Sequence, residues 1–286
     1  MEAAIRSILF QSYQNIQYIV IDGGSNDESV EILQRYSDQI SFWISEPDRG
    51  QAHAINKGLD RASGSFLGWV NSDDVLFPKT IENAVQTFIQ NPSVDVVYGR
   101  LERIDENNRL VPTPILPKDR LEFSLKNVLG ECIVNQPGSF WRREVMEVAG
   151  ILDESLIFAL DYEYWIRLAL AGAKFMRLPE VVARFRLSSS SKTVSQTADM
   201  ANEQLQVLEK IAALPDLPDT LGISPQEVKL QVRRTKARIC LHGFYGDFKR
   251  RKWRRAQGWL KEALVNDPLS IMDRRWLTLA WARLQR

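Results

Sequence analysis

The chain has 286 residues, of which 44% are apolar and 26% charged, the balance of an ordinary folded protein rather than a disordered one. No apolar run approaches the roughly 20 residues that a membrane-spanning helix needs. Met1-Glu2-Ala3-Ala4 lacks the layout of a secretory signal, and Cys132, Cys240 and two histidines are too few and too scattered for a zinc framework, so a reduced, cytoplasmic setting is expected. The net charge of +1 hides an asymmetry: residues 1–226 carry 21 Lys+Arg against 31 Asp+Glu, whereas residues 227–286 carry 16 against 5. Two parts with different tasks are expected.

In chain order, Glu2 to Gln11 reads as a helix and Ile16 to Ile21 as a strand ending in the turn Asp22-Gly23-Gly24-Ser25. Asn26 to Tyr36 is helical with Ser25 or Asn26 as its cap. Ile40 to Ile44 is a strand, Gln51 to Ala62 a helix, Phe66 to Val70 a strand, Lys79 to Gln90 a helix and Val94 to Tyr98 a strand. Strands alternating with helices of about 10 to 12 residues predict an α/β fold with a mostly parallel sheet flanked by helices. The strand that should precede the opening helix is missing from this pattern. Arg100 to Lys126 reads as a hairpin or loop, Asn135 to Gly150 as ordered, and Asp161 to Ala171 as an amphipathic helix. The serines at 188–191 read as a loop. Beyond Asp199 the pattern is helical, broken near Pro215, Pro218 and Pro225. The expected division is a catalytic domain at 1–200 and a basic, tryptophan-rich helical extension at 201–286.

In parallel sheets, ligands gather at the carboxyl ends of strands. Three polar clusters fall there: Asp22 to Asp27, Glu46 to Gly50, and Asn71 to Asp74. Any one of them alone is an ordinary turn; together they outline a site. Asp73 and Asp74 are two adjacent hard carboxylates, suited to Mg²⁺ or Mn²⁺ shared with phosphates. The P-loop and the G-x-G-x-x-G fingerprint are both missing, which disfavours ordinary ATPases and dinucleotide enzymes. A nucleotidyltransferase loses ground on the same evidence.

Five stretches in this order, Tyr18-IVIDGGSND-Glu28, Ser45-EPDRGQAHAINKG-Leu59, Gly64-SFLGWVNSDDVLFP-Lys79, Asn135-QPGSFWRR-Glu144 and Leu160-DYEYWIRL-Ala169, resemble family 2 glycosyltransferases of the GT-A fold. The likeness covers roughly Met1 to Thr193. It implies an inverting, metal-dependent, hexosyltransferase-type enzyme that takes a sugar from a nucleotide diphosphate donor, a UDP-sugar first. By that likeness Asp22 meets the nucleotide base, and Asp48 and Arg49 flank base, ribose or phosphate. Asp73 belongs to the nucleotide-sugar site and, with Asp74, to the metal site, although Asn71 stands where the family's first acid is common. Asp161 is the catalytic base and Glu163 a weaker, solvated alternative; Asp161 also reads as the cap of a helix from Tyr162 to Leu170. Gln136 and Trp165 form the acceptor side, Trp165 lining or buttressing it. Ser188 stands about where the family often has a metal-proximal histidine, and Arg186 or Lys192 could meet phosphate oxygens. The absent first strand, Asn71 and Ser188 leave a second reading, a GT-A scaffold that binds without catalysing.

The tail has its own pattern. Lys249 to Arg255 packs six Lys/Arg around Trp253, and Trp259, Trp276 and Trp281 follow. Basic helices with tryptophan suit an anionic membrane surface, which fits a saccharide or lipid-linked acceptor in polysaccharide or lipopolysaccharide synthesis. A helical pair docked on the catalytic domain fits equally. Nucleic acid is not expected, because no RNA-binding signature accompanies the charge.

Overall fold

The computed structural model describes residues 1–111, 123–125, 129, 133–188 and 191–270. Cys132 and the apolar positions around Trp276 and Trp281 lie outside these, as does most of 112–126. The chain falls into two compact units, one built on residues 1–111 and 133–187, the other on 188 and 191–270.

The first unit opens with helix α1 (Glu2–Leu9), strand β1 (Ile19–Asp22), α2 (Ser29–Arg35), β2 (Phe42–Ser45), α3 (Gln51–Arg61), β3 (Phe66–Leu67), β4 (Val75–Leu76) and α4 (Thr80–Gln90). It continues with β5 (Val96–Ile104), β6 (Leu110–Val111), β7 (Phe140–Arg142), α5 (Arg143–Ala149), α6 (Leu160–Leu170) and β8 (Phe175–Arg186). Its α/β class is the one expected, and β1 and β2 are parallel, joined through α2. The larger sheet, ordered β3-β7-β5-β8-β4 with β6 on β5, is mixed rather than mostly parallel. Among the described residues only its β5–β8 pairing is parallel. The reason is connectivity: β4 follows β3 through a turn, and β7 follows the Asn135–Ser139 loop, so neither is delivered by a crossover helix. Among the described residues β1 pairs with β2 alone, which leaves the sheet in two pieces.

Apolar spacing explains the core. Ala4, Ile5 and Ile8 form one buried face of α1. Ile5 packs with Leu33 and Ile40, while Ile8 packs with Leu76, Phe88, Val97 and Val182, so one helix serves two clusters. Gln11 fastens the end of α1 to the turn before α4: its Nε2 donates to Phe77 O at 2.8 Å and its Oε1 accepts from the Ile81 N–H at 3.0 Å. The expected cap of α2 is not used; Glu28 occupies the N-cap position without a side-chain bond, and Ser25 is engaged by Asp22 instead.

Strand β8 was not evident from the sequence because Pro179 interrupts it. Tyr98 faces Arg177 and Arg100 faces Val181, so Leu178, Pro179 and Glu180 bulge opposite Gly99, and a bulge tolerates a residue that cannot donate to the ladder. Val182 then comes down on two glycines. A Cβ on Gly99 would lie 2.3 Å from Val182, and one on Gly138 2.4 Å from it. Gly138 also has φ +79°, in the left-handed region.

The second unit is helical: α7 (Lys192–Ser195), α8 (Thr197–Ala212), α9 (Leu217–Leu221), α10 (Pro225–Lys249) and α11 (Trp253–Asn266). Pro225 opens α10 behind a capping box in which Ser224 and Glu227 satisfy each other's backbone N–H groups. Cys240, Leu241 and Ala263 are its buried centre, with Leu205, Trp259 and Leu260 against them. No described helix is long and apolar enough to cross a membrane.

A methyl group at position 138 meets both Val182 and a left-handed backbone. Gly138→Ala is expected to destabilise the first unit by about 2 kcal/mol or more. Chemical denaturation measures this, and an unchanged midpoint would show that the β8 contact is not limiting.

Candidate functional site

The polar turns at the ends of β1 and β2 are built around each other. Asp22, only 5% exposed, accepts the Ser25 hydroxyl at 2.5 Å on Oδ1. On Oδ2 it accepts the Ser45 hydroxyl at 2.6 Å and the Ser25 and Gly24 N–H groups at 2.9 and 3.2 Å. Burial works against its charge, but these donors from Ser25, Ser45 and Gly24 outweigh it and hold the carboxyl below its usual range. The Asp48 carboxylate lies over Gly23, where a Cβ would come within 2.4 Å of Oδ2, and its Oδ1 accepts the Gly50 N–H at 2.8 Å. Gly23 is therefore a position of close approach, which admits the Asp48 carboxylate to the Asp22 turn.

Arg49 is held by a carboxylate that the sequence reading did not single out. Its guanidinium pairs with Glu154, and Glu154 Oε1 also accepts from Asn56 Nδ2 at 3.2 Å. Hydrogen bonds from Asn56 and Arg49 keep the Glu154 carboxyl below its usual range. Asn56, 2% exposed, exchanges two further bonds of 3.0 Å with the backbone of Leu152. One signal for it was available: Ala52, Asn56 and Leu59 form the buried face of α3, and a polar residue on such a face must find partners.

Between β3 and β4, side-chain amides form a chain. Gln51 Nε2 donates to Asn71 Oδ1 at 2.8 Å, Asn71 Nδ2 to Gln136 Oε1 at 2.7 Å, and Gln136 Nε2 to the Trp69 carbonyl at 2.7 Å. Asn71 Nδ2 also lies 3.4 Å from Asp74 Oδ2. Asp74 is fully buried and its Oδ1 accepts the Arg186 N–H at 3.1 Å. Burial, with the charge of Asp73 beside it, pushes its pKa up to about 7. Asp73 is exposed, and Arg186 Nε donates to its backbone carbonyl at 3.2 Å. The two adjacent acids thus differ: Asp74 is folded into the protein and Asp73 faces solvent. No cluster of three or more His, Cys, Asp or Glu able to hold an ion occurs among the described residues. The donor set suits instead a hard cation that takes one or two carboxylates and completes its shell with phosphates and water.

Asp161 lies inside the first turn of α6, not at its cap, which is Ala159. Its Oδ1 accepts the Tyr162 N–H at 2.7 Å. Burial pushes its pKa up to about 6, against the N–H groups of Tyr162 and its own backbone. Glu163 is not the solvated acid expected: it forms a two-bond pair with Arg167, both 2.8 Å. Trp165, on the same face as Asp161 one turn on, has no exposed surface. Its ring stacks on Trp69 at 5.5 Å and meets Trp141 edge-on at 5.8 Å. It buttresses and lines nothing. Asp161 touches neither Asp22 nor Asp73 among the described residues; its helix is tied to the Asn71 turn through the Trp165–Trp69 stack. Lys192 and Ser188 belong to the second unit.

Residues 1–148 match the family model described as glycosyl transferase family 2. The chain is 29% identical over 220 residues to an uncharacterized glycosyltransferase of Rickettsia conorii, a match covering 73% of this chain and 35% of that one. It is 30% identical over 177 residues to an uncharacterized glycosyltransferase of Mycobacterium tuberculosis, covering 59% and 64%. The matched stretch thus spans only about a third of the Rickettsia conorii protein. In structure the chain is similar to Staphylococcus aureus TarS residues 1–349 with UDP-GlcNAc, at a TM-score of 0.62 and 15% identity over 92% of this chain and 76% of that one. It is also similar to the Pyrobaculum calidifontis mannosyltransferase PcManGT in complex with GDP-Man and Mn²⁺, at 0.60 and 18% over 93% and 82%. These likenesses show the fold, that of GT-A glycosyltransferases.

Asn56→Ala strands the Leu152 N–H and carbonyl and frees Glu154. A loss of about 1–3 kcal/mol of stability is expected, read as a lower melting temperature; an unchanged value would mean that the 152–154 segment is held by other contacts.

Proposed function

The chain belongs to glycosyl transferase family 2, and we propose that it moves a hexose-type sugar, with inversion, from a nucleotide-diphosphate sugar to a saccharide or lipid-linked acceptor. A UDP-sugar is the first choice of donor. The setting is polysaccharide or lipopolysaccharide synthesis in the cytoplasm, at the inner face of the plasma membrane. TarS with UDP-GlcNAc and PcManGT with GDP-Man support a nucleotide sugar as the donor class.

One observation carries the reading: a single carboxyl, Asp161, in the first turn of a helix whose Trp165 stacks on Trp69, two residues before the Asn71–Asp74 turn, with its pKa pushed up to about 6. A base tuned close to the working pH is the efficient one. Asp161 accepts the proton of the acceptor hydroxyl as that oxygen attacks the anomeric carbon on the face opposite the leaving diphosphate. Its bond from the Tyr162 N–H fixes one carboxylate oxygen and leaves the other for the acceptor. Asp22, Asp48 and Arg49 form the nucleotide side. Asp22 orders the Gly24–Ser25 turn on which the base rests, Asp48 stands over Gly23, and Glu154 keeps Arg49 in place. Gln136 sets the acceptor-side wall and Trp165 backs it from the core.

Asp73 would hold the divalent ion, Mn²⁺ or Mg²⁺, with Asp74 behind it. When bound, such an ion neutralises charge on the departing diphosphate. The complex of PcManGT with Mn²⁺ supports a divalent ion as the cofactor class. Arg186, whose guanidinium sits on the carbonyls of Asp73 and Asp105, would add a fixed positive charge to the same turn. Asn71 in place of an acid is the observation that favours the second reading, a scaffold without catalysis.

Asp161→Asn is expected to lower transfer roughly 10²- to 10⁴-fold while nucleotide-sugar binding is kept. Because the base acts deprotonated, wild-type transfer should fall as pH drops through about 6. Transfer that persists in the variant, or a flat profile between about pH 5 and 8, would reject Asp161 as the base.

A further inference from the structure

We propose that the turn joining α10 to α11 docks on the anionic surface of a lipid bilayer. This deepens, and rests on, the reading of a membrane-peripheral enzyme. The connection is three residues long, Arg250 to Lys252. It closes with the Arg251 N–H donating to Phe248 O at 3.0 Å and the Lys252 N–H to Asp247 O at 2.9 Å. Lys249, Arg250, Arg251, Lys252 and Arg254 are all exposed, and none has an ion-pair partner among the described residues. Arg255 is different: it pairs with buried Asp247 at 3.1 Å and with Asp199 at 3.3 Å. One cation of the run therefore holds the helices together and five do not.

Helix physics accounts for only one of those five. Lys249 suits the carboxyl end of α10, but Lys252 and Arg254 sit at the amino end of α11, whose first turn contains no acid and where the helix dipole disfavours positive charge. Arg251 adopts φ +59°, a left-handed position after a helix that usually falls to glycine or asparagine. The sequence keeps a charge there at a conformational cost. Two large aromatics share the tip. Phe248 is 38% and Trp253 53% exposed, and their rings meet edge to face at 5.0 Å. Unpaired cations around exposed aromatics match a headgroup layer, where the charges meet anionic lipid and the rings enter the acyl boundary.

The test is flotation of the full chain with vesicles of phosphatidylcholine containing about 30% phosphatidylglycerol, and with phosphatidylcholine alone, at ~0.1 M salt. The wild type should bind only the anionic vesicles. Replacing Arg250, Arg251 and Lys252 by Gln should weaken binding roughly 100-fold, about fivefold per charge. Phe248→Ser with Trp253→Ser should weaken it at unchanged net charge. Removing two exposed cations elsewhere on α10, Lys229→Gln with Arg234→Gln, should cost far less than the tip substitutions. Far-UV circular dichroism confirms that each variant is folded. Equal losses with the control pair, indifference to the aromatics, or binding of single-stranded RNA in place of vesicles would overturn the proposal. The measurement uses no sugar donor, so a failure here leaves Asp161-dependent transfer to a soluble saccharide untouched, and a failure of transfer leaves the docking result standing.

Discussion

A chain of side-chain amides holds together segments of the first unit that are distant in sequence. Gln51 at the start of α3, Asn71 in the segment between β3 and β4 and Gln136 in the loop before β7 bond in series and finish on the Trp69 carbonyl. Amides suit this task because each carries both donors and an acceptor. A carboxylate at position 71 could accept from Gln51 but could not donate to Gln136. The residue that departs from the family's acid is thus the one that bridges the motifs, and Asp73 is left facing solvent at the edge of the network. Because the links are partly buried, losing one strands the others.

Behind the amides lies an aromatic block. Trp69, Trp141, Tyr164 and Trp165 meet stacked, tilted or edge-on with centroids 5.2 to 6.1 Å apart. The indole N–H groups of Trp69 and Trp165 have no partner among the described residues, so packing rather than hydrogen bonding holds these rings. The block fixes α6 to the segment between β3 and Asn71. The proposed base on the first turn of α6 and the proposed metal-side turn after β3 would therefore share one rigid backing, which is what positional catalysis requires.

Much of this was legible in the sequence because helices declare themselves by apolar spacing. α3, α4 and α6 fall within a residue or two of their expected limits, and the polar clusters after β1, β2 and β3 were read as strand-end turns. What escaped was tertiary. β8 is hidden by Pro179, which only its bulge against Gly99 makes tolerable, and β4 and β7, two and three residues long, are too short to show a period. Glu154 carries no local signal; its partners Arg49 and Asn56 lie about a hundred positions away. Trp165 was legible as an aromatic on a helix, but its complete burial depends on three other rings. Asp161 was legible as an acid at a helix start, whereas its raised pKa comes from burial, which sequence does not state.

In the proposed reaction the amide chain presents the Asp73 turn to a sugar diphosphate. Isothermal titration of the wild type and Gln136→Leu with UDP- and GDP-sugars, with and without Mn²⁺, tests this directly. The wild type should show saturable, Mn²⁺-dependent binding of one of these donors. The variant, with Asn71 and the Trp69 carbonyl unpaired, should bind roughly tenfold or more weakly while still folded. Equal affinity in the two proteins would contradict the role of the chain, and no metal-dependent binding by the wild type would contradict the site.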